Sequence, residues 1–179
     1  MLRASVLVAF MLAFAACAFG ETAIYFDPTD GEVNVHSDTV YCAEVWIGPA
    51  EDIKGYSIEI TFRSADLNLV DVVEGDIFSS AGHMSAYFDE VRPGAVEDTI
   101  AVDASDLTGS VAGPGHLFTI CFGRPWAYVD HSPLAIIMAD VRDSGNGAVP
   151  VVTLDGTVTI SIPTAADATT WGGIKGLYR

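Results

Sequence analysis

Basic residues are scarce in this sequence. Eight Lys and Arg stand against 24 Asp and Glu, for a formal net charge of −16. A surface of that sign repels nucleic-acid phosphates and anionic headgroups, so no nucleic-acid partner is expected. It favours solubility and suits a basic partner or bound cations. Histidine is also sparse. His36, His83, His116 and His131 fall in no H-E-x-x-H or related spacing, and no G-x-S-x-G elbow occurs. Paired carboxylates for glycoside cleavage need a cleft that residue order alone does not define. No enzyme is expected from these features. Of the three cysteines, lone Cys42 and Cys121 are too few for a structural zinc site, which takes four ligands.

Long apolar runs are missing except at the start. Met1-Leu2-Arg3 is a short positive region, Ala4–Ala16 carries no charge, and small residues follow before Glu21. That is the pattern of a secretory signal peptide over residues 1–20, and it predicts a secreted, extracellular protein. The run is too short for a membrane span, and no other stretch is a candidate. Phe14-Ala15-Ala16-Cys17 also resembles a lipoprotein box, with Cys17 as a lipid-anchor alternative. Removal of the signal takes away Arg3 and no acid. The remaining ~160 residues form one domain, large enough to bury a core without staples.

Helical periodicity is the next absence. What the chain has instead is strands, and the clearest begins the stretch Gly55–Ser79. Tyr56, Ile58, Ile60 and Phe62 alternate with Ser57, Glu59, Thr61 and Arg63, the period-two signature of a half-buried strand. Leu67–Val73 reads as a second strand. The others are Thr22–Phe26, Thr39–Ile47, Met84–Phe88, Thr99–Asp103, His116–Phe122, Leu134–Val141 and Gly156–Ile162. Turn residues separate them, as at Asp27-Pro28-Thr29-Asp30-Gly31, Pro93-Gly94 and Ser144-Gly145-Asn146-Gly147. The expected fold is all-β, a two-sheet antiparallel jelly-roll sandwich of about nine strands over residues 21–162.

An exported compartment permits a disulfide between Cys42 and Cys121. Each lies in an expected strand. Cys42 shares a face with Val40, whereas Cys121 opposes Phe118, Ile120 and Phe122. If all those apolar residues are core, the sulfurs face different ways and cannot bond. A bulge near Ala43 would change this. The pairing stays open on these grounds.

The order of the segments resembles a cohesin domain, in the superfamily that also holds the family 2 and family 3 carbohydrate-binding modules. Ala23-Ile24-Tyr25-Phe26-Asp27-Pro28 leads through Val33-Asn34-Val35 to Ser37-Asp38-Thr39-Val40, similar to the family's "G-D-T-V" opening. Val45-Trp46-Ile47-Gly48 closes the second strand. Gly55-Tyr56-Ser57 resembles its "G-Y-S", and Leu67 through Gly75-Asp76 its "L-x-x-V-x-V-x-x-G-D". Leu117–Phe122 and Val141 through Val158 complete the likeness. Phe62-Arg63-Ser64 departs from the family's Tyr-Asp-Pro, and the loop Gly123–Ser132 is unusual.

The resemblance implies two ligand classes, with a structural domain of a secreted or surface assembly that takes no small ligand as the third possibility. Cohesins bind dockerin modules through a face formed by their third, fifth, sixth and eighth strands. Here its outward residues would be Ser57, Glu59, Thr61 and Arg63, with Thr99, Ala101 and Asp103. The other class is polysaccharide, in a polysaccharide-degradation context. Sugar rings stack their C–H faces on exposed aromatics. Trp126 and Tyr128, alternating in the loop after Phe122, are the candidates, with Tyr87 and Trp46 behind them. The sequence contains no dockerin-like calcium repeat. No cofactor is implied, although Asp140, Asp143 and Asn146 form an oxygen-rich turn that suits Ca2+, as ordinary turn chemistry also explains. Pro163–Thr170 reads as a linker. Trp171–Arg179, aromatic and basic, reads as a separate tail carrying an export, sorting or surface-attachment signal.

Overall fold

The structure, a computed structural model, describes residues 22–34, 40–123 and 131–161. The signal peptide with Cys17, the loop holding Trp126 and Tyr128, the linker and the tail lie outside the described residues. Within them no helix is long and apolar enough to cross a membrane.

Among the described residues twelve strands form two packed sheets. They are β1 (Thr22–Asp27), β2 (Asp30–Asn34), β3 (Tyr41–Ile47), β4 (Gly55–Phe62), β5 (Asn68–Glu74), β6 (Ser85–Arg92), β7 (Asp98–Asp106), β8 (Gly115–Gly123), β9 (His131–Arg142), β10 (Ala148–Val149), β11 (Val151–Leu154) and β12 (Gly156–Ser161). One sheet runs β11-β1-β3-β8-β5. The other runs β2-β12-β9-β4-β7-β6, with β10 beside β9. The expected sandwich is present, and all nine expected strands have counterparts. The expected all-antiparallel pairing needs two additions, because β1 pairs β11 and β2 pairs β12 in parallel.

Alternation builds the core. In β4 the residues Tyr56, Ile58, Ile60 and Phe62 are all buried, as their period predicts. They face Val45, Ile47, Phe118, Ile120 and Phe122 from the other sheet, within one buried cluster. Each such side chain contributes roughly 1.5–3 kcal/mol by leaving water. Tyr56 also links the sheets chemically. Its hydroxyl donates to the Leu117 carbonyl at 2.7 Å, and its ring lies between Phe78 and Phe118. Burial pushes its phenol ionisation far above the ordinary value.

Cys42 and Cys121 are bonded, with S–S 2.03 Å and Cα–Cα 4.1 Å. They stand directly opposite in the antiparallel β3/β8 ladder, at the separation of a narrow pair. The possibility of opposed faces fails because Val40 is not core. It is 49% exposed, so Cys42 shares its outward face, and Cys121 points outward from between buried Ile120 and Phe122.

Among the described residues three ladders slip register, one of them β5/β8 between Leu69 and Asp71, and the other two bulges shape the outer faces. Val45 pairs Phe118 but Trp46 pairs His116, leaving Leu117 as an extra residue in β8. Glu59 pairs Met138 but Ile60 pairs Ile136, leaving Ile137 extra in β9.

Candidate docking face

Four strands, β9-β4-β7-β6, lie side by side in the seven-stranded sheet. Their outward residues align in cross-strand rows. Phe88, Asp103, Ser57 and Asp140 form one row; Glu90, Ala101, Glu59 and Met138 a second; Arg92, Thr99, Thr61 and Ala135 a third. The structure thus brings Ser57, Glu59, Thr61, Thr99, Ala101 and Asp103 onto one face. Arg63 does not join them. It lies past the end of β4, in the turn to β5, with its Nε 3.4 Å from Asp66 Oδ2.

An ion pair organises the centre. Arg92 of the edge strand β6 reaches diagonally across β7, and its Nη2 donates to Glu59 Oε1 at 2.7 Å. Its Nε is 3.7 Å from Glu90 Oε2. Ala101 lies in the row between the two carboxylates and is only 5% exposed, although it points outward. The hydrogen bond with Glu59 pushes the Arg92 ionisation above its ordinary value. These groups are solvent-exposed, so the pair orders the surface more than it stabilises the fold.

Exposed apolar side chains flank this polar centre, and sequence reading did not single them out. Met84, Phe88 and Leu107 are each about 60% exposed or more at one end. Met84 and Leu107 continue the β6/β7 ladder, joined by a bond from the Leu107 N–H to the Met84 carbonyl. At the other side the β9 bulge turns two consecutive side chains outward, Ile137 and Met138, at 56% and 37% exposure. A strict alternation would have buried one of them. Bulge position leaves no mark in the sequence pattern. Between Phe88 and Arg142 the surface dips into a groove of about 640 Å³, lined by Ser57, Phe88, Asp103, Arg142 and Asp143 among others.

The oxygen-rich turn at one end of this face is internally occupied. Asp140 Oδ2 accepts from Arg142 Nη2 and Nε at 2.7 and 3.0 Å. Asp143 Oδ1 accepts the Gly147 N–H at 2.6 Å, and Asn146 takes a left-handed conformation with φ 62°. That is turn chemistry of the Asx type. Among the described residues no group of three or more His, Cys, Asp or Glu is placed to hold a metal ion.

Asp106, at the end of β7, anchors the adjoining loop. It is 1% exposed. Its Oδ1 accepts the N–H groups of Thr108 and Gly109 and the Thr108 hydroxyl, at 2.8–3.0 Å. Its Oδ2 lies 2.5 Å from His83 Nδ1. Burial opposes its charge, yet the bonds from His83, Thr108 and Gly109 outweigh burial and hold the carboxyl well below the usual carboxylate range.

No family model matches this chain, and no curated protein sequence does. Solved structures do. The chain is similar to a non-cellulosomal cohesin from the hyperthermophilic archaeon Archaeoglobus fulgidus, with TM-score 0.62 and 20% identity over 84% of this chain and 97% of that one. A type I cohesin–dockerin complex from Clostridium thermocellum gives TM-score 0.59 and 17% identity, covering 79% and 99%. The seventh ScaB type I cohesin from Pseudobacteroides cellulosolvens gives 0.60 and 11%, covering 82% and 96%. The fold is that of the cohesin modules.

Proposed function

We propose that this cohesin-fold chain is a secreted, non-catalytic docking module that binds a protein partner through the outer face of β9-β4-β7-β6. The observation that carries it is the exposed apolar pair of flanks, Met84-Phe88-Leu107 and Ile137-Met138, around an ordered polar centre on one sheet. Large apolar side chains gathered on one face mark interaction surfaces rather than solvated ones. Anchors of this kind, rimmed by polar groups, are where binding energy concentrates. Among the similar structures is a cohesin bound to a dockerin, so a dockerin-type module is the partner class. The acidic rim of Glu90, Asp103 and Asp140 suits a partner with basic side chains. Export is part of the reading, and the Cys42–Cys121 disulfide supports it, because such bonds persist in oxidising compartments.

The test is calorimetric titration with a panel of purified dockerin modules in calcium. Binding by one of them, weakened roughly tenfold or more by Phe88→Ala, is the expected result. A module that binds equally well to Phe88→Ala and Ile137→Ser variants would place the interface elsewhere. Absence of binding across the panel would remove the dockerin class. The alternative reading, polysaccharide binding by Trp126 and Tyr128, falls on residues outside those described.

A further inference from the structure

The second sheet carries an unassigned feature on its own outer face. Tyr25 of β1 stands opposite Trp46 of β3, and Trp46 stands opposite His116 of β8. The three rings therefore form one row across adjacent strands, spanning two strand spacings, about 10 Å. All point outward, because Ile24, Phe26, Val45 and Ile47 beside them are buried. Tyr25 and Trp46 are partly buried and the His116 side chain is 16% exposed, so each is seated in the sheet and still meets solvent.

The row is built rather than accidental, and the β8 bulge builds it. In an unbroken ladder Trp46 would oppose Leu117. The extra residue turns Leu117 into the core and brings His116 beside the indole. Bulges re-aim side chains in this way next to functional sites. The Trp46 and His116 rings are stacked, with centroids 5.5 Å apart and 30° between planes. Both are fixed by polar partners. Trp46 Nε1–H donates to Glu44 Oε2 at 2.8 Å, and His116 Nε2 lies 2.9 Å from the Thr119 hydroxyl. Glu44 and Asp27, adjacent in register and both exposed, stand beside the row as acceptors.

We infer that this face is a carbohydrate-binding platform, built on Trp46 and His116, that takes a neutral hexose polymer. The chemistry is complementary on both counts. Pyranose C–H faces pack on planar apolar rings, and sugar hydroxyls donate to carboxylates. The rings lose little freedom on binding because Glu44 and Thr119 already hold them. The carboxylates of Glu44, Asp27 and the nearby exposed Asp76 repel polyanions, so uronate-rich polymers are excluded and neutral ones admitted. The platform lies on the sheet opposite the docking face, and it stands whether or not that face binds protein.

The experiment is retention of the full exported protein on insoluble cellulose and mannan, and its mobility shift in gels containing soluble xyloglucan or, as polyanion, alginate. Wild type should be retained by at least one neutral polymer and not shifted by alginate. Trp46→Ala should weaken retention roughly tenfold, the size of one lost stacking contact. His116→Ala should weaken it less, and Trp46→Phe should restore most of it. Phe88→Ala, on the other sheet, should leave it unchanged. If Trp46→Ala fails to fold, as its melting would show, His116→Ala and Trp46→Phe decide. No retention by any neutral polymer overturns the proposal. So does retention indifferent to both Trp46→Ala and His116→Ala, and so does a shift in alginate equal to that in xyloglucan.

Discussion

Loss of the Cys42–Cys121 bridge should cost this protein a large part of its stability, and the size follows from chain connectivity. The bridge joins residues 79 apart in sequence. Closing a loop of that length removes entropy from the unfolded chain worth about 4–5 kcal/mol at 25 °C. The native side needs little rearrangement in return, since the two residues are already ladder partners, near the start of β3 and the end of β8. Most of the effect therefore resides in the unfolded state. Urea unfolding of wild type and of the Cys42→Ser/Cys121→Ser double variant measures it. With a slope of roughly 2 kcal/mol per molar, the midpoint should fall by about 2 M. The slope itself should rise, because the uncrosslinked chain expands further on unfolding. Mass spectrometry after alkylation without reductant should find neither Cys42 nor Cys121 labelled. An unchanged midpoint, or free labelling of both thiols, would refute the reasoning.

Two further outcomes follow from buried polar bonds. Asp106→Ala should destabilise by about 3 kcal/mol, through the backbone donors of Thr108 and Gly109 that it leaves unpaired. Because the folded-state ionisation of Asp106 is depressed, its contribution is complete above the ordinary carboxylate value of about 4 and is lost as pH falls through the lower folded-state value. The stability gap between variant and wild type, measured by urea, should be flat from pH 7 to about 4 and narrow below; a gap that widens with acid would contradict this. Tyr56→Phe removes the hydroxyl that meets the Leu117 carbonyl, and should lower stability by about 1–2 kcal/mol with the fold intact by circular dichroism.

Much of the fold was legible because one sheet face is wet and the other dry. Period two in Tyr56–Phe62 placed β4, and the turn clusters placed its neighbours. The misses have local causes. Strand β2 begins at Asp30-Gly31, residues that read as a turn, and Gly31 is there because the Tyr41 ring occupies the space a Cβ would need. Strands β10 and β11 are too short, at two and four residues, to show a period. The cysteine faces were ambiguous because Val40 is apolar and yet exposed. At the docking face, alternation put Ser57, Glu59 and Thr61 on one side of their strand and the cohesin resemblance added Thr99, Ala101 and Asp103, which the ladder pairs with them. Neither revealed that Arg92 spans β7 to reach Glu59, or that a bulge exposes Ile137 with Met138. Those depend on side-chain reach and on a one-residue slip, which no count of apolar residues contains.

The Leu117 carbonyl accepts two bonds, one from the Tyr56 hydroxyl and one from the Gly75 N–H at 2.8 Å, which saturates its lone pairs. The residue inserted into β8 is thus held from both the opposite sheet and the loop beyond β5. Its consequence is a rule about length. Residues around it can be exchanged for others of like size, but deleting Leu117 would close the bulge, leave His116 opposite Trp46 in a regular ladder, and empty the core position that Leu117 fills. The Tyr56 hydroxyl and the Gly75 N–H would lose their shared acceptor, so one missing codon would undo the polar tie between the sheets. In this strand the number of residues is under tighter constraint than their identity.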